Sequence, residues 1–128
     1  MKFGYSRNEI YDCEFQKEMD FLPLVGCSQV YYDIIPLNLR FGNNFLKLIE
    51  KGKKKDLIIV YSFSRLGGTL SELSTICAYL STMKMGLISL KDQFNSNSFE
   101  GGLFFQSMSE LSHDFSGNEN PLPNGLKF

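Results

Sequence analysis

The feature that most constrains the fold is an alternation of short apolar segments with longer segments that have helical periodicity. The apolar segments predict four strands, at residues 2–6, 29–32, 57–61 and 87–90. Strands that are apolar on both faces and alternate with helices are typical of a parallel sheet covered by helices on both sides. Right-handed connections place these strands in the order 2-1-3-4. We therefore predict an α/β fold with a mostly parallel sheet of four to five strands.

Capping signals and apolar spacing predict four helices. Asp12 can cap the first helix, and Thr69 with Glu72 forms a capping box at the start of the third. Residues 95–102 are rich in Gly, Ser and Asn, which predicts a loop before the last helix. The apolar positions of the four helices are Phe15, Met19 and Leu22; Phe45, Leu48 and Ile49; Leu70, Leu73, Ile76, Cys77, Leu80 and Met83; and Leu103, Phe104, Met108 and Leu111.

The composition indicates a single folded domain and limits its chemistry. The 128 residues are 43% hydrophobic and have a formal net charge of −1, unlike a surface built to coat nucleic acid. Cys13, Cys27 and Cys77 are an odd number without a CxxC pair, so we expect no metal site and a reducing, cytoplasmic location. The sequence has neither a Walker loop nor a G-x-G-x-x-G segment after the first strand, so we expect no cofactor. The longest apolar run, at residues 57–61, is too short to span a membrane. We interpret His113, the only histidine, as a polar helix residue.

Two arginines are predicted at one edge of the sheet. Arg7 lies at the end of the first strand and Arg65 follows the third, and the carboxyl ends of parallel strands meet at the same edge. The capped start of the third helix adds free amide donors there. Because a guanidinium group matches the oxygens of a phosphate, an anion site is one interpretation. The other interpretation is structural, with the two arginines paired to Glu9 and Asp33.

Four segments of the chain, taken in order, resemble the motifs of one protein family. They are "GYSR" (residues 4–7), "VGCSQVYYD" (25–33), "LIIVYSFSRLGGTLSEL" (57–73) and "LKDQFNSNSFEGGLFF" (90–105). The first is similar to a G-Y-x-R start, and the third to a strand followed by L-D-R-L-G-R and a helix. Together they resemble the catalytic domain of the resolvase/invertase serine recombinases. The resemblance covers residues 1–115 and implies that domain's fold, with an irregular tail at 116–128.

The resemblance implies a chemistry in which DNA is cut and rejoined. In this family a serine hydroxyl attacks a phosphodiester and forms a covalent phosphoserine link, while arginines neutralise the charge on the phosphorus oxygens. Arg7 matches the arginine of the first motif, and Arg65 matches the arginine of the L-D-R-L-G-R motif. Arg40 matches a further arginine of the family's site, in an alignment where the following helix is one residue short. These matches imply that Arg7 and Arg65 bind phosphate.

The chain departs from the family pattern at three other positions of the site. Glu9 stands where the nucleophilic serine is expected, Ser64 replaces the aspartate before Arg65, and Gly68 replaces the second arginine of that motif. A carboxylate that approaches a phosphate must overcome the repulsion between two negative charges. We therefore expect Glu9 to pair with Arg65 or Arg7 and to stand in for the missing phosphate, and we do not expect it to act as a nucleophile.

The resemblance and these losses predict a diverged domain related to site-specific DNA recombination, with weak or no cleavage activity. Such a domain could be a remnant carried by a mobile element. It could also be a dimer or a partner of related recombinases, in contact through Phe104, Phe105 and Met108 of the last helix. The family's helix-turn-helix module is not among these residues, so we expect DNA to be bound weakly or through a partner chain. The alternatives are an active domain with another nucleophile, and a phosphate- or nucleotide-binding module.

Overall fold

A computed structural model describes residues 1–36, 41–67 and 69–115, with the side chains of 112–115 excepted. The chain forms five strands and four α-helices over these residues. The strands are β1 (Lys2–Asn8), β2 (Gln29–Ile34), β3 (Leu57–Val60), β4 (Gly86–Ser89) and β5 (Phe94–Asn95). The helices are α1 (Cys13–Leu24), α2 (Asn43–Lys51), α3 (Leu70–Thr82) and α4 (Phe99–Phe115), and a short 3-10 helix (Phe63–Arg65) follows β3.

The five strands form one mostly parallel sheet in the order β2-β1-β3-β4-β5. The pairs β1–β2, β1–β3 and β3–β4 are parallel, and β5 pairs antiparallel with β4. This confirms the predicted fold class and strand order. β1 runs two residues beyond its predicted end because Arg7 and Asn8 continue the pairing with Asp33 and Ile34 of β2. Arg7 therefore lies within the strand.

The start of the last helix is a correction to the sequence analysis. Residues 95–102 were predicted as a loop, but Asn95 belongs to β5 and α4 begins at Phe99. The Ser98 hydroxyl accepts a hydrogen bond from the Gly101 amide at 3.0 Å, in the manner of a helix N-cap. The glycine-rich composition of this segment predicts a loop, although Ser98 is a capping residue. The first turn of the helix contains two glycines.

The sheet has one helix on one face and three on the other. On the first face, Leu22 of α1 packs with Cys27 and Ile59. Gly4 of β1 permits this close approach, because a Cβ at that position would lie 3.0 Å from the Cys27 sulfur. The larger core on the other face joins strand residues to α2, α3 and α4. Its buried side chains include Phe3, Tyr5, Phe45, Leu48, Ile49, Ile58, Val60, Ile76, Leu80, Leu87, Phe105 and Met108.

The predicted helix starts are confirmed for α1 and α3. The Asp12 carboxylate accepts a hydrogen bond from the Phe15 amide at 2.9 Å, and the Thr69 hydroxyl accepts one from the Glu72 amide at 3.1 Å. The apolar stripe predicted for α3 is buried in its middle and exposed at its ends. Leu70 is 56% exposed and Met83 is 38% exposed.

Several predictions concern residues that the structure does not describe. Arg40, Gly68 and the tail at 116–128 lie outside the described residues, and His113 is described only as part of the α4 backbone. Among the helices built from the described residues, none has both the length and the apolar character that a membrane crossing requires.

Candidate functional site

The two arginines predicted at one sheet edge are in contact: the side chain of Arg65 meets the main chain of Arg7. Arg7 lies near the carboxyl end of β1, and Arg65 ends the 3-10 helix that follows β3. The Arg65 Nη1 donates a hydrogen bond to the Arg7 carbonyl oxygen at 3.4 Å. Because β1 and β3 are neighbours in the sheet, their exits bring these residues together, as the sequence predicted.

The two guanidinium groups nevertheless belong to opposite faces of the sheet. Side chains alternate along a strand, so Arg7 lies on the face of Tyr5, and Ser6 between them faces α1. The Arg7 side chain is buried, with 4% of the residue exposed, and its charge lowers the pKa of Tyr5 against larger effects that raise it. The Arg65 guanidinium reaches to α1, on the Ser6 side. The sequence predicted one pocket that holds both guanidinium groups. The Arg7 main chain contributes to the pocket around Arg65, and the Arg7 guanidinium does not.

Arg65 is bound by a carboxylate of α1 that the sequence analysis did not identify. Its Nη2 lies 2.9 Å from Glu18 Oε2, and its Nε lies 3.1 Å from Oε1 and 3.2 Å from Oε2. The Ser6 hydroxyl donates to Glu18 Oε1 at 2.5 Å. Glu18 is 8% exposed, and a carboxylate is buried to that degree only when it is paired and hydrogen-bonded.

A signal for Glu18 was present in the sequence. It lies three residues after Phe15 and four before Leu22, so it falls within the inward stripe of α1. A charged residue in an apolar stripe indicates a buried partner. The identity of that partner depends on how α1 crosses the sheet, and the sequence pattern alone does not give the crossing.

Glu9 does not take the role that the sequence analysis gave it. It follows the end of β1, its side chain is exposed, and it forms no hydrogen bond or ion pair with any residue in the described parts of the chain. The prediction that Glu9 pairs with Arg65 or Arg7 is wrong, because Glu18 holds the Arg65 guanidinium and Glu9 pairs with neither arginine. Glu9 is the carboxylate nearest to Arg7 along the chain, whereas the partner of Arg65 comes from α1 across the sheet face.

The exit of β3 is held in place by a carboxylate that follows β4, the neighbouring strand. Asp92 Oδ2 accepts hydrogen bonds from the Phe63 amide at 2.9 Å and from the Ser89 hydroxyl at 2.6 Å. Ser64 is exposed, and its hydroxyl lies 2.7 Å from that of Ser62. Asp92 therefore fixes the 3-10 helix that positions Arg65.

A second buried carboxylate connects β1, β2 and the start of α2. Asp33 is 6% exposed and accepts hydrogen bonds from the Tyr5 hydroxyl at 2.7 Å and from the amides of Asn44 and Phe45 at 3.0 Å each. Burial raises the pKa of Tyr5 well above its ordinary value, and the hydrogen bond to Asp33 raises it further. A Cβ at Gly42 would lie 2.1 Å from the Asp33 Cγ, so only glycine allows this approach.

A cleft opens beside the Glu18–Arg65 pair on the α1 face. It has a volume of about 410 Å³ and is lined by Glu14, Lys17, Glu18, Phe21, Tyr61 and Arg65. Lys17 and Glu14 form an exposed ion pair at 3.3 Å on its rim. Within residues 1–36, 41–67 and 69–115, no group of three or more His, Cys, Asp or Glu side chains is placed to hold a metal ion.

Comparison with known proteins places the chain among recombinases. The family model "Resolvase, N terminal domain" matches residues 39–117. The chain is 27% identical over 128 residues to Protein uvp1 of Escherichia coli, covering 94% of this chain and 63% of that protein. It is 24% identical over 112 residues to Serine recombinase gin of Escherichia phage Mu, covering 88% of this chain and 58% of that protein. The chain thus spans about three fifths of the length of these relatives.

A solved structure shows the same fold. The N-terminal catalytic domain of TP901-1 integrase superimposes with a TM-score of 0.63 at 18% sequence identity. The match covers 94% of this chain and 100% of that domain. At this level of identity the comparison supports the fold, and the chemistry of the site rests on the residues of this chain.

Proposed function

Because the chain belongs to the Resolvase N-terminal domain family, we propose that it is a diverged serine-recombinase catalytic domain with weak or no cleavage activity. Its fold and family relate it to site-specific recombination. The observation that supports the loss of activity best is the exposed Glu9, which follows β1 at the position where the family resemblance places the nucleophilic serine. A carboxylate there supplies no hydroxyl for attack on phosphorus.

Electrostatics around the sheet edge also disfavour cleavage. Two unit charges about 4 Å apart repel by roughly 4 kcal/mol at an effective dielectric of about 20. Glu9 would meet this cost on approach to a phosphate, and arginines must offset it. The charge of Arg65 is already compensated by Glu18 at 2.9 Å. The site therefore has less positive potential available for an incoming phosphate than its arginine content suggests.

Two other serines near this edge differ in how accessible their hydroxyl groups are. Ser6 is fully buried and donates its hydroxyl proton to Glu18, on the α1 face. Ser64 is exposed and shares a hydrogen bond with Ser62. Ser64 supports the alternative function, an active recombinase domain with another nucleophile, since its hydroxyl is accessible and adjacent to Arg65 in the chain. Formation of a covalent protein–DNA link separates the two functions.

We also propose that the domain associates with a second recombinase domain through α4, and that DNA is bound through such a partner. The sequence predicted Phe104, Phe105 and Met108 for this contact. The prediction is wrong for Phe105 and Met108, which are 9% and 4% exposed and belong to the chain's own core. Phe99, Leu103 and Phe104 are 82%, 54% and 43% exposed. These three residues, the α4 apolar surface, are the proposed contact.

The test is a search for a covalent protein–DNA link. The chain is fused to a sequence-specific zinc-finger module, and the fusion is incubated with supercoiled DNA in which two finger sites flank a candidate crossover sequence. The products are separated under denaturing conditions. The corresponding region of Serine recombinase gin in the same fusion is the positive control. We expect no adduct from this chain. An adduct that is lost in Ser64→Ala would overturn the proposal in favour of the active domain.

A further inference from the structure

We propose that Glu18 is an internal anion that closes an anion-binding site on Arg65, and that the identity of residue 18 decides whether this site accepts a phosphate-type ligand. The inference rests on the proposed function and deepens it, because it names what occupies the arginine of the diverged site. It replaces the earlier assignment of that role to Glu9.

The geometry of the pair is that of a bound oxyanion. A guanidinium offers a planar edge with two parallel donors, and carboxylates and phosphates present two oxygens at a similar spacing. Arg65 uses its Nε and Nη2 for Glu18, and its Nη1 donates to the Arg7 carbonyl. All three nitrogens of the guanidinium are therefore engaged within the protein. An external anion can reach the two-donor edge only if the Glu18 carboxylate leaves it.

Glu18 is held in this position from two sides. The Ser6 hydroxyl donates to the same oxygen that receives Arg65 Nε. Phe15 and Leu22, one turn before and after Glu18, are 1% and 0% exposed, so they fix the helix against the sheet. Displacement of the carboxylate would cost these contacts as well as the ion pair. The unmodified chain is therefore expected to exclude free anions from Arg65.

The site is accessible once the carboxylate charge is removed. The cleft of about 410 Å³ is lined by both partners of the pair, and the Arg65 side chain is 27% exposed. Lys17, on the same cleft, has a side chain that is 73% exposed and is paired with Glu14, whose side chain is 83% exposed. Arg65 and Lys17 together suit a tetrahedral oxyanion. Phosphate and phosphate esters are the ligand class that this combination of donors would take.

The experiment is a calorimetric titration with inorganic phosphate at constant ionic strength, with chloride as the balancing anion. The variants are Glu18→Gln, which keeps the shape of the side chain, and Asp20→Asn as the matched control, an exposed carboxylate on the same helix that does not line the cleft. We expect Glu18→Gln to bind phosphate at least about tenfold more tightly than the unmodified chain. Asp20→Asn should leave the affinity unchanged. Addition of Arg65→Gln to Glu18→Gln should abolish the gain.

Equal phosphate affinity in the unmodified chain and in Glu18→Gln would overturn the inference, as would a gain that persists without Arg65. Should Glu18→Gln not fold, the same titration with Ser6→Ala decides, because this variant loosens the carboxylate without removing it. A smaller gain in Ser6→Ala supports the inference, and no gain overturns it. The readout is independent of strand cleavage, so a covalent adduct in the DNA experiment would refute the proposed function without affecting this result.

Discussion

The Arg65 guanidinium and the Glu18 carboxylate form a two-nitrogen ion pair, with Nη2 2.9 Å from Oε2 and Nε 3.1 Å from Oε1. The pair joins the exit of β3 to the middle of α1, and the Ser6 hydroxyl extends it into β1. It therefore connects three elements at the sheet edge where ligands of parallel α/β sheets bind. A bidentate pair at such an edge stabilises the fold and reduces the charge that the edge presents to an anion.

Replacement of Glu9 by serine should not restore strand cleavage. The hydroxyl would return to the position that the family resemblance assigns to the nucleophile. Arg65 would still be paired with Glu18, and Gly68 would still lack the guanidinium of the family motif. Covalent adduct formation by the zinc-finger fusion of Glu9→Ser measures this, with Glu9→Ala as the control. Efficient strand cutting by the single variant would show that the remaining cations are sufficient.

Loss of the Glu18 carboxylate should destabilise the fold more than loss of its neighbour on the same helix. Glu18→Ala leaves the Arg65 guanidinium and the Ser6 hydroxyl without this partner, at a cost of about 1–3 kcal/mol. The lower part of that range applies because the Arg65 side chain is 27% exposed and can gain water. Glu14→Ala, whose side chain is 83% exposed, should cost about 0–0.5 kcal/mol. Urea unfolding compares the two, and equal free energies of unfolding would contradict the role given to Glu18.

The Tyr5–Asp33 hydrogen bond should contribute measurably to stability. Tyr5 is 1% exposed and its hydroxyl donates to Asp33 at 2.7 Å, so Tyr5→Phe removes a buried bond to a carboxylate. We expect a loss of about 1–2 kcal/mol in the free energy of unfolding. Tyr61→Phe is the matched control, because Tyr61 is 38% exposed. If Tyr5→Phe and Tyr61→Phe unfold at the same urea concentration, the Tyr5–Asp33 hydrogen bond does not stabilise the fold.

The α4 apolar surface should control self-association without controlling stability. Phe99→Ser combined with Leu103→Ser removes two exposed apolar side chains, so we expect weaker association in sedimentation velocity and a change in unfolding free energy within about 0.5 kcal/mol. Leu24→Ser removes an apolar side chain that is 80% exposed on α1 and serves as the control. Unchanged association in the α4 variant, or an equal effect of Leu24→Ser, would place the contact elsewhere.

The fold could be predicted from the sequence because its signals are local. The apolar strands, the Asp12 cap and the Thr69–Glu72 capping box each specify a neighbouring segment, and right-handed connections restrict the strand order. The antiparallel β5 was missed because two residues in a segment rich in polar side chains give no periodicity. The early start of α4 was missed because a serine cap was outweighed by the glycines that follow it.

The candidate site could be predicted only in part, because it depends on how elements cross. Topology alone brings the exits of β1 and β3 together, so the meeting of Arg7 and Arg65 followed from the strand order. The partner of Arg65 did not follow, since Glu18 reaches it through the packing of α1 on the sheet. Glu9 is close to Arg7 along the chain, but it lies past the end of the strand and is exposed. Order along the chain was a poor guide to which carboxylate is buried.

The measurement that tests the central claim most directly is solvent exchange of the Arg65 Nε proton, followed by ¹H–¹⁵N NMR. The account predicts that this proton exchanges slowly in the unmodified chain, because it lies between Nε and the buried Glu18 carboxylate, and that Glu18→Gln accelerates its exchange. The Arg7 signal serves as the reference in both samples. An Arg65 Nε proton that already exchanges in the unmodified chain as fast as in Glu18→Gln would contradict the claim that Glu18 occupies this guanidinium.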